Sequence, residues 1–305
     1  MMLLFCLDPL AGREPDAEWR EEVTAARASG FDSALVDHDA LVRGHDPARA
    51  VLRVPKSDTT PVAIYRGWML RVEEYRLLHE ALMGRGVRLI NDPAEYARCH
   101  HLPESYAAIE SMTPKSVWVR LDEDLSVDRL MEILRPFGSA PVVLKDFVKS
   151  RKHEWAEACF IPSSADRAAV ERVVARFREL QGEDIAGGLV FRAYERFEPL
   201  GAHSRSGMPI TREYRIFFLA GAPLAVLPYW DEGDYSGEAP PVDRFTRVAE
   251  GVRSRFFTMD VARRIDGEWR IVELGDGQVA GLPRGAHVAE FYRQLAASGL
   301  TLREE

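Results

Sequence analysis

Apolar runs and amphipathic stretches alternate along the first hundred residues in the manner of an α/β chain. "LLFCLD" predicts a strand, Asp16–Ser29 a helix closed by Gly30, and "SALVDH" and "PVAIYRG" two further strands. "RVEEYRLLHEALMGRG" predicts an amphipathic helix ending at Gly84 and Gly86. "VRLIN" then reads as a strand, and "DPAEYARCHHLPESYAAIE" as one helix with Pro93 in its first turn. Together they predict an N-terminal α/β unit over 1–110.

The pattern changes beyond it, and a smaller unit is expected over 111–190. "SVWVR", "APVVLKDFV" and "EACFIP" predict strands, and Ser126–Leu134 and Ser164–Gln181 predict helices, the second with Val170, Val173, Val174 and Phe177 on one stripe. A third unit over 191–305 opens within "LVFRAYERF" and continues with the paired strands "EYRIFFLAGAPLAVLPYW", turning at Gly221-Ala222-Pro223. Glu213, Arg215 and Phe217 share one face of the first of these strands. Between "LVFRAYERF" and this strand pair the polar loop Gly201–Pro209 is expected to move, and a helix over Ala286–Ala296 closes the chain.

The final hairpin, "MDVARRIDGEWRIVELGDGQ", places acids among residues that otherwise read as buried strand. Asp266-Gly267 predicts a two-residue turn. That register pairs Ile265 with Glu268, Ala262 with Ile271, Val261 with Val272 and Asp260 with Glu273. Two facing carboxylates at an effective dielectric near 20 repel by roughly 3 kcal/mol. Two readings follow: a divalent cation between the acids, or a solvated face neutralised by Arg263, Arg264 or Arg270.

Composition narrows the field. The 305 residues carry a formal charge of −8 and a pI near 5.6, which argues against nucleic-acid or membrane-surface binding. Three cysteines lack any metal-ligand spacing and read as free thiols of a reducing cytoplasm. The N-terminal apolar run is short, without a basic leader, and reads as a strand rather than a signal peptide. Only five of the 40 basic residues are lysines, and Lys145, Lys149 and Lys152 fall together in "KDFVKSRK". In a chain that otherwise uses arginine, this cluster marks positions suited to a compact ammonium.

The order of these parts resembles an ATP-grasp domain, in particular the bacterial and phage ATP-grasp proteins grouped with the amidoligases. It runs from a lysine on a strand ("VVLKDFVKS") through a helix, "VFRAYERFE" and "REYRIFF" to an acid pair on antiparallel strands, over roughly Tyr65–Pro283. The resemblance implies an ATP-grasp fold with an N-terminal α/β pre-ATP-grasp domain, 111–190 as the small lobe and 191–305 as the large lobe. ATP and Mg²⁺ are then the implied cofactors. Lys145 matches the lysine on phosphate and adenine. Arg192, Tyr194 and Glu195 fall in the adenine-reading hinge, and Glu213 and Arg215 in the Glu-x-Arg strand near ribose and phosphates. Asp260 and Glu273 match the metal-binding acids.

The chain departs from the family pattern in three places. Where the family has Asn two residues after the metal-binding Glu, this chain has Gly275, which makes Asp276 the candidate third ligand. The phosphate-covering loop is "KSRKHEW", without Gly, so its contacts fall to Lys149, Ser150 and Arg151. An early basic contact is left to Arg98, His100 or His101. The implied reaction is ligation through an acylphosphate of an amino-acid, peptide or protein carboxylate to an amine. Arg215 and Lys149 serve as catalytic cations, and Arg66, at a strand end beside Gly67, grips the carboxylate. A nucleotide-binding module without turnover and a phosphotransferase are the rivals, and a homodimer is left open.

Overall fold

The computed structural model describes residues 1–202, 204 and 209–299. The chain opens with β1 (Met2–Cys6), α1 (Arg20–Ala28), β2 (Asp32–Val36) and the short helices α2 (His38–Val42) and α3 (Pro47–Ala50). It continues with β3 (Val62–Arg66), α4 (Val72–Met83) and β4 (Arg88–Leu89). The four strands form a parallel sheet in the order β2-β1-β3-β4, each returning through helical connections. The strand expected to reach His38 stops at Val36 because Asp37 caps α2, accepting from the Ala40 N–H.

The single helix expected after Pro93 is two, α5 (Pro93–His100) and α6 (Leu102–Ile109). His101 leaves the helical region at φ −90° and ψ 110°. Pro103 lacks the N–H that would return to the Cys99 carbonyl, and its ring would crowd that carbonyl, so the chain restarts there.

The small sheet follows, with β5 (Ser116–Arg120), α7 (Val127–Leu134), β6 (Val142–Asp146), β7 (Phe160–Ile161), α8 (Arg167–Gln181) and β8 (Gly188–Ala193). Its order is β5-β8-β6-β7, all antiparallel. Helices α7 and α8 bury one face through Val119, Leu144, Leu189 and Phe191 against Leu130, Val173 and Phe177. By alternation Lys145 and Arg192 lie on the other face. "EACFIP" is not a full strand: Trp155–Cys159 form a π-helical turn and only two residues pair. The break expected between 190 and 191 falls inside β8.

A two-stranded ribbon, β9 (Pro199–Ala202) and β10 (Pro209–Thr211), leads to the large sheet. The mobile loop expected over Gly201–Pro209 lies largely outside the described residues. The large sheet comprises β11 (Glu213–Leu219), β12 (Ala222–Pro228), β13 (Phe256–Arg263) and β14 (Trp269–Asp276), in the order β12-β11-β13-β14. Helix α9 (Val242–Ala249), which the sequence reading missed, joins α5 and α6 in covering the face that carries Tyr214, Ile216, Phe218, Met259 and Val261. Glu213, Arg215 and Asp260 lie on the opposite face. The last helix, α10 (Val288–Ala297), packs back on α1 and completes the core of the first sheet.

Candidate active site

The acid pair faces across β13 and β14 as expected, by a route the sequence did not show. The turn is a three-residue loop in which Arg264 N–H donates to the Glu268 carbonyl and Gly267 sits at φ +90°. Ala262 therefore faces Arg270, and Val261 faces Ile271, one step from the expected register. A bulge then leaves Val272 unopposed and restores the pairing of Asp260 with Glu273. The slip at the turn and the bulge cancel.

Each acid holds its own cation, so the bare repulsion expected between them does not arise. Arg215, opposite Asp260 on β11, donates to it through Nε at 2.8 Å and Nη2 at 2.7 Å. Lys145 reaches from the small sheet and donates to Glu273 at 2.7 Å. Burial pushes the Glu273 carboxyl up, but Lys145 and Lys152 hold it below the ordinary value. The arginines offered as neutralisers are engaged elsewhere. Arg263 pairs with Glu198 and Glu238, while Arg264 and Arg270 both meet Glu195.

The other predicted site residues are distributed around this pair. Glu213 is buried on the same face as Arg215, and Lys149 lines a cavity of about 280 Å³ with Arg215, Asp260, Glu273, His100 and Thr258. Ser150 lies in the connection between β6 and β7. Tyr194, half-exposed just past β8, packs against Phe160 at 5.1 Å and Trp155 at 6.0 Å.

Four expectations need correction. Asp276 borders the same cavity, but it is three residues from Glu273 and so points to the opposite face, where it is fully buried and accepts from Asn91 Nδ2 and from the Gln278 backbone and side chain. It does not join the pair, and among the described residues no three His, Cys, Asp or Glu side chains cluster as a metal site. Arg66 grips no incoming carboxylate. Its guanidinium is wholly buried, forked on Glu22 at 2.9 and 3.1 Å and donating to the carbonyls of Gly277 and Ala280. Arg192 is spent on the Val272 and Ile271 carbonyls and on Thr113 Oγ1; burial pushes it down to about 10, still charged near neutrality. Glu195 is held by Arg264 and Arg270 rather than turned to a ligand.

Of the early basic candidates, Arg98 donates to the Arg253 carbonyl and only His100 lines the cavity. Burial lowers the His100 ring to about 4, so it enters the cavity wall neutral rather than as a phosphate-binding cation. Sequence reasoning missed Asp146, which accepts from the N–H groups of Val148 at 2.7 Å and Lys149 at 2.5 Å and so shapes the turn that presents Lys149. The Asp at the end of a strand before a Phe-Val-Lys turn was the available signal.

Comparison with known proteins places this geometry. A family profile described as an ATP-grasp domain, clade family 3, matches residues 136–295, just over half of the chain. The chain belongs to that ATP-grasp family. The matched ATP-grasp segment runs from just past α7, through Lys145 and the acid pair, to α10. A RimK-domain ATP-grasp protein from Sphaerobacter thermophilus superposes with a TM-score of 0.58 at 13% identity, covering 97% of this chain and 98% of that one. D-cycloserine synthetase DcsG gives 0.59 at 15% identity, over 98% and 99% of the two chains. The ATP-grasp ligase PsnB, complexed with minimal precursor, Mg and ADP, gives 0.53 at 13% identity, over 97% and 96%. At these identities the likeness is one of fold, and the ATP-grasp fold extends over nearly the whole chain. No curated protein matches the sequence.

Proposed function

We propose that this ATP-grasp protein is an ATP- and Mg²⁺-dependent ligase that joins a carboxylate, of an amino acid, peptide or protein, to an amine. The observation that carries the reading is the constellation of Lys145–Glu273 and Arg215–Asp260 on facing sheets beside one cavity. Two cations and two acids in mutual balance suit the arrival of phosphates with a divalent ion. The phosphates take the cations and the ion takes the acids, so no charge is left unpaired. The residues therefore fit the pair of ligands, with Asp260 and Glu273 as the metal holders. Mg²⁺, when bound, neutralises charge on the phosphates.

The chain's own groups do the positioning. Lys145 and Arg215 hold phosphate oxygens, and Lys149, presented by the Asp146 turn, adds a third cation over the transferring group. A carboxylate oxygen of the substrate attacks the γ-phosphorus and ADP leaves. The amine nitrogen then attacks the acyl carbon of the acylphosphate, inorganic phosphate departs with the C–O bond electrons, and the nitrogen gives up its proton. PsnB, which has the same fold and is described in complex with a precursor peptide, supports a peptide as the substrate.

Lys145→Ala should lose most of the Mg-ATP-dependent rise in Tm, and Lys145→Arg should not restore it. Pooled amino acids and short peptides should release phosphate from ATP, whereas the same pools with every amine acetylated or with every carboxyl amidated should not. Full thermal stabilisation of both Lys145 variants would remove Lys145 from the site. Stabilisation of the wild type without phosphate release from any pool favours the module that binds nucleotide without turnover, a reading that the missing Asn at Gly275 supports.

A further inference from the structure

Gly275, two residues past Glu273 on the same face, brings no side-chain oxygen to the acid pair, and both Asp276 oxygens are engaged with Asn91 and Gln278. We infer that Thr258 supplies a third, neutral hydroxyl oxygen to the ion held by Asp260 and Glu273. The inference rests on the nucleotide–metal reading above and adds a residue to it.

Strand geometry brings the group there. Thr258 directly opposes Gly275, as Asp260 opposes Glu273, so all four positions lie on one face in two adjacent pairs. Thr258 is 1% exposed and lines the same cavity as both acids. A Cβ placed on Gly275 would stand 2.9 Å from Thr258 Oγ1, closer than a side chain tolerates. The two positions are therefore coupled: a side chain at 275 makes the threonine hydroxyl shift, and glycine leaves it in place.

The fold itself asks little of that hydroxyl. Its bond to the Gly275 carbonyl is long at 3.4 Å, near the limit of what counts as a hydrogen bond. Valine has the same β-branched shape, is equally at home on a strand and has no polar atom to satisfy. A buried oxygen kept beside two carboxylates suits a hard cation, and threonine hydroxyls are used on Mg²⁺ in other nucleotide sites. Two carboxylates and a hydroxyl carry less negative charge than three acids would, which suits an ion that also meets phosphates.

Mn²⁺ titrated into the full chain at saturating ADP, with free Mn²⁺ read by electron paramagnetic resonance, tests the assignment without turnover. Thr258→Val should weaken Mn²⁺ binding about tenfold or more, with Tm in EDTA unchanged, and Thr258→Ser should bind as wild type does. Gly275→Asn should also weaken binding, and adding Thr258→Ala to it should recover most of the loss by clearing room for the amide. Wild-type Mn²⁺ affinity in Thr258→Val overturns the inference and leaves the proposed function standing. Failure of the wild type to bind Mn²⁺ and ADP together overturns both. Should Thr258→Val not fold, the comparison of Gly275→Asn with its double variant decides, and equal affinity in those two sinks the inference.

Discussion

Glu213 shares the site face with Arg215 and Asp260, and its titration should be visible. Burial first, and then the charge of Asp260, push its carboxyl up from 4.5 to about 7, against the pull of Lys152 and Arg215. A folded value above the unfolded one means the native state binds the extra proton. The associated stability is fully present below about 4.5 and is lost as pH rises through about 7. Glu213→Gln removes that loss. Its unfolding free energy relative to wild type should therefore rise between about pH 5 and pH 8, by on the order of 1–2 kcal/mol. His100 titrates in the opposite sense but is common to both proteins and cancels. Denaturant melts at the two pH values give the difference, and a constant offset would mean that Glu213 is ionised throughout. The same scale shows what residue spacing can and cannot tell. Alternation put Glu213, Arg215 and Phe217 on one face from sequence alone. It equally puts Asp276, three residues past Glu273, on the other face, and that parity was available before any coordinates. Arg66 was harder to read: its partner Glu22 lies 44 positions away, and no local pattern joins them.

At the scale of the element, the terminal hairpin carries the lesson. Asp266-Gly267 marked the turn, and the apolar alternation marked both strands. Nothing in "WRIVELGD" distinguishes Val272, the residue the bulge leaves unopposed, from its apolar neighbours. The bulge is fixed from outside. Arg192 on β8 donates to the Val272 carbonyl at 2.5 Å and the Ile271 carbonyl at 3.1 Å, satisfying backbone groups of the edge strand β14 at the bulge. A guanidinium that holds backbone in this way binds the small sheet to the strand that presents Glu273. Arg192→Met should leave the Val272 carbonyl and Thr113 Oγ1 without that donor, while the Ile271 carbonyl keeps the Thr113 hydroxyl. We expect a loss of about 2–3 kcal/mol in urea unfolding. Mg-ATP should still raise the Tm of the variant, because the Lys145–Glu273 and Arg215–Asp260 pairs survive. Loss of the Mg-ATP shift with unchanged stability would instead return Arg192 to the nucleotide.

Across the whole molecule, the segment after β14 ties the site to the first sheet. Gln278 accepts from the Tyr65 N–H and donates to Tyr75, while the Gly281 carbonyl accepts from Arg215 Nη1 at 2.8 Å. Arg66 stands at the centre of this junction. Its one guanidinium joins β3, Glu22 of α1 and the carbonyls of 277–280, and Tyr292 of α10 donates to the same Glu22 at 2.5 Å. The N-terminal layer and the end of the chain are thereby one buried network, which explains why α10 returns to the first sheet. Removing the arginine would strand the buried Glu22 carboxylate and two carbonyls at once. Arg66→Met should therefore cost about 3–5 kcal/mol. Arg66→Lys should recover little, because an ammonium cannot span the Glu22 fork and the carbonyls together. Adding Glu22→Gln to Arg66→Met should restore part of the loss, since the stranded charge is then gone. Urea melts of the wild type, the two single variants and the double variant close the cycle. A substrate-gripping Arg66 predicts another pattern, with near-wild-type stability in every variant and a raised KM for the carboxylate, and that outcome would return Arg66 to the active site.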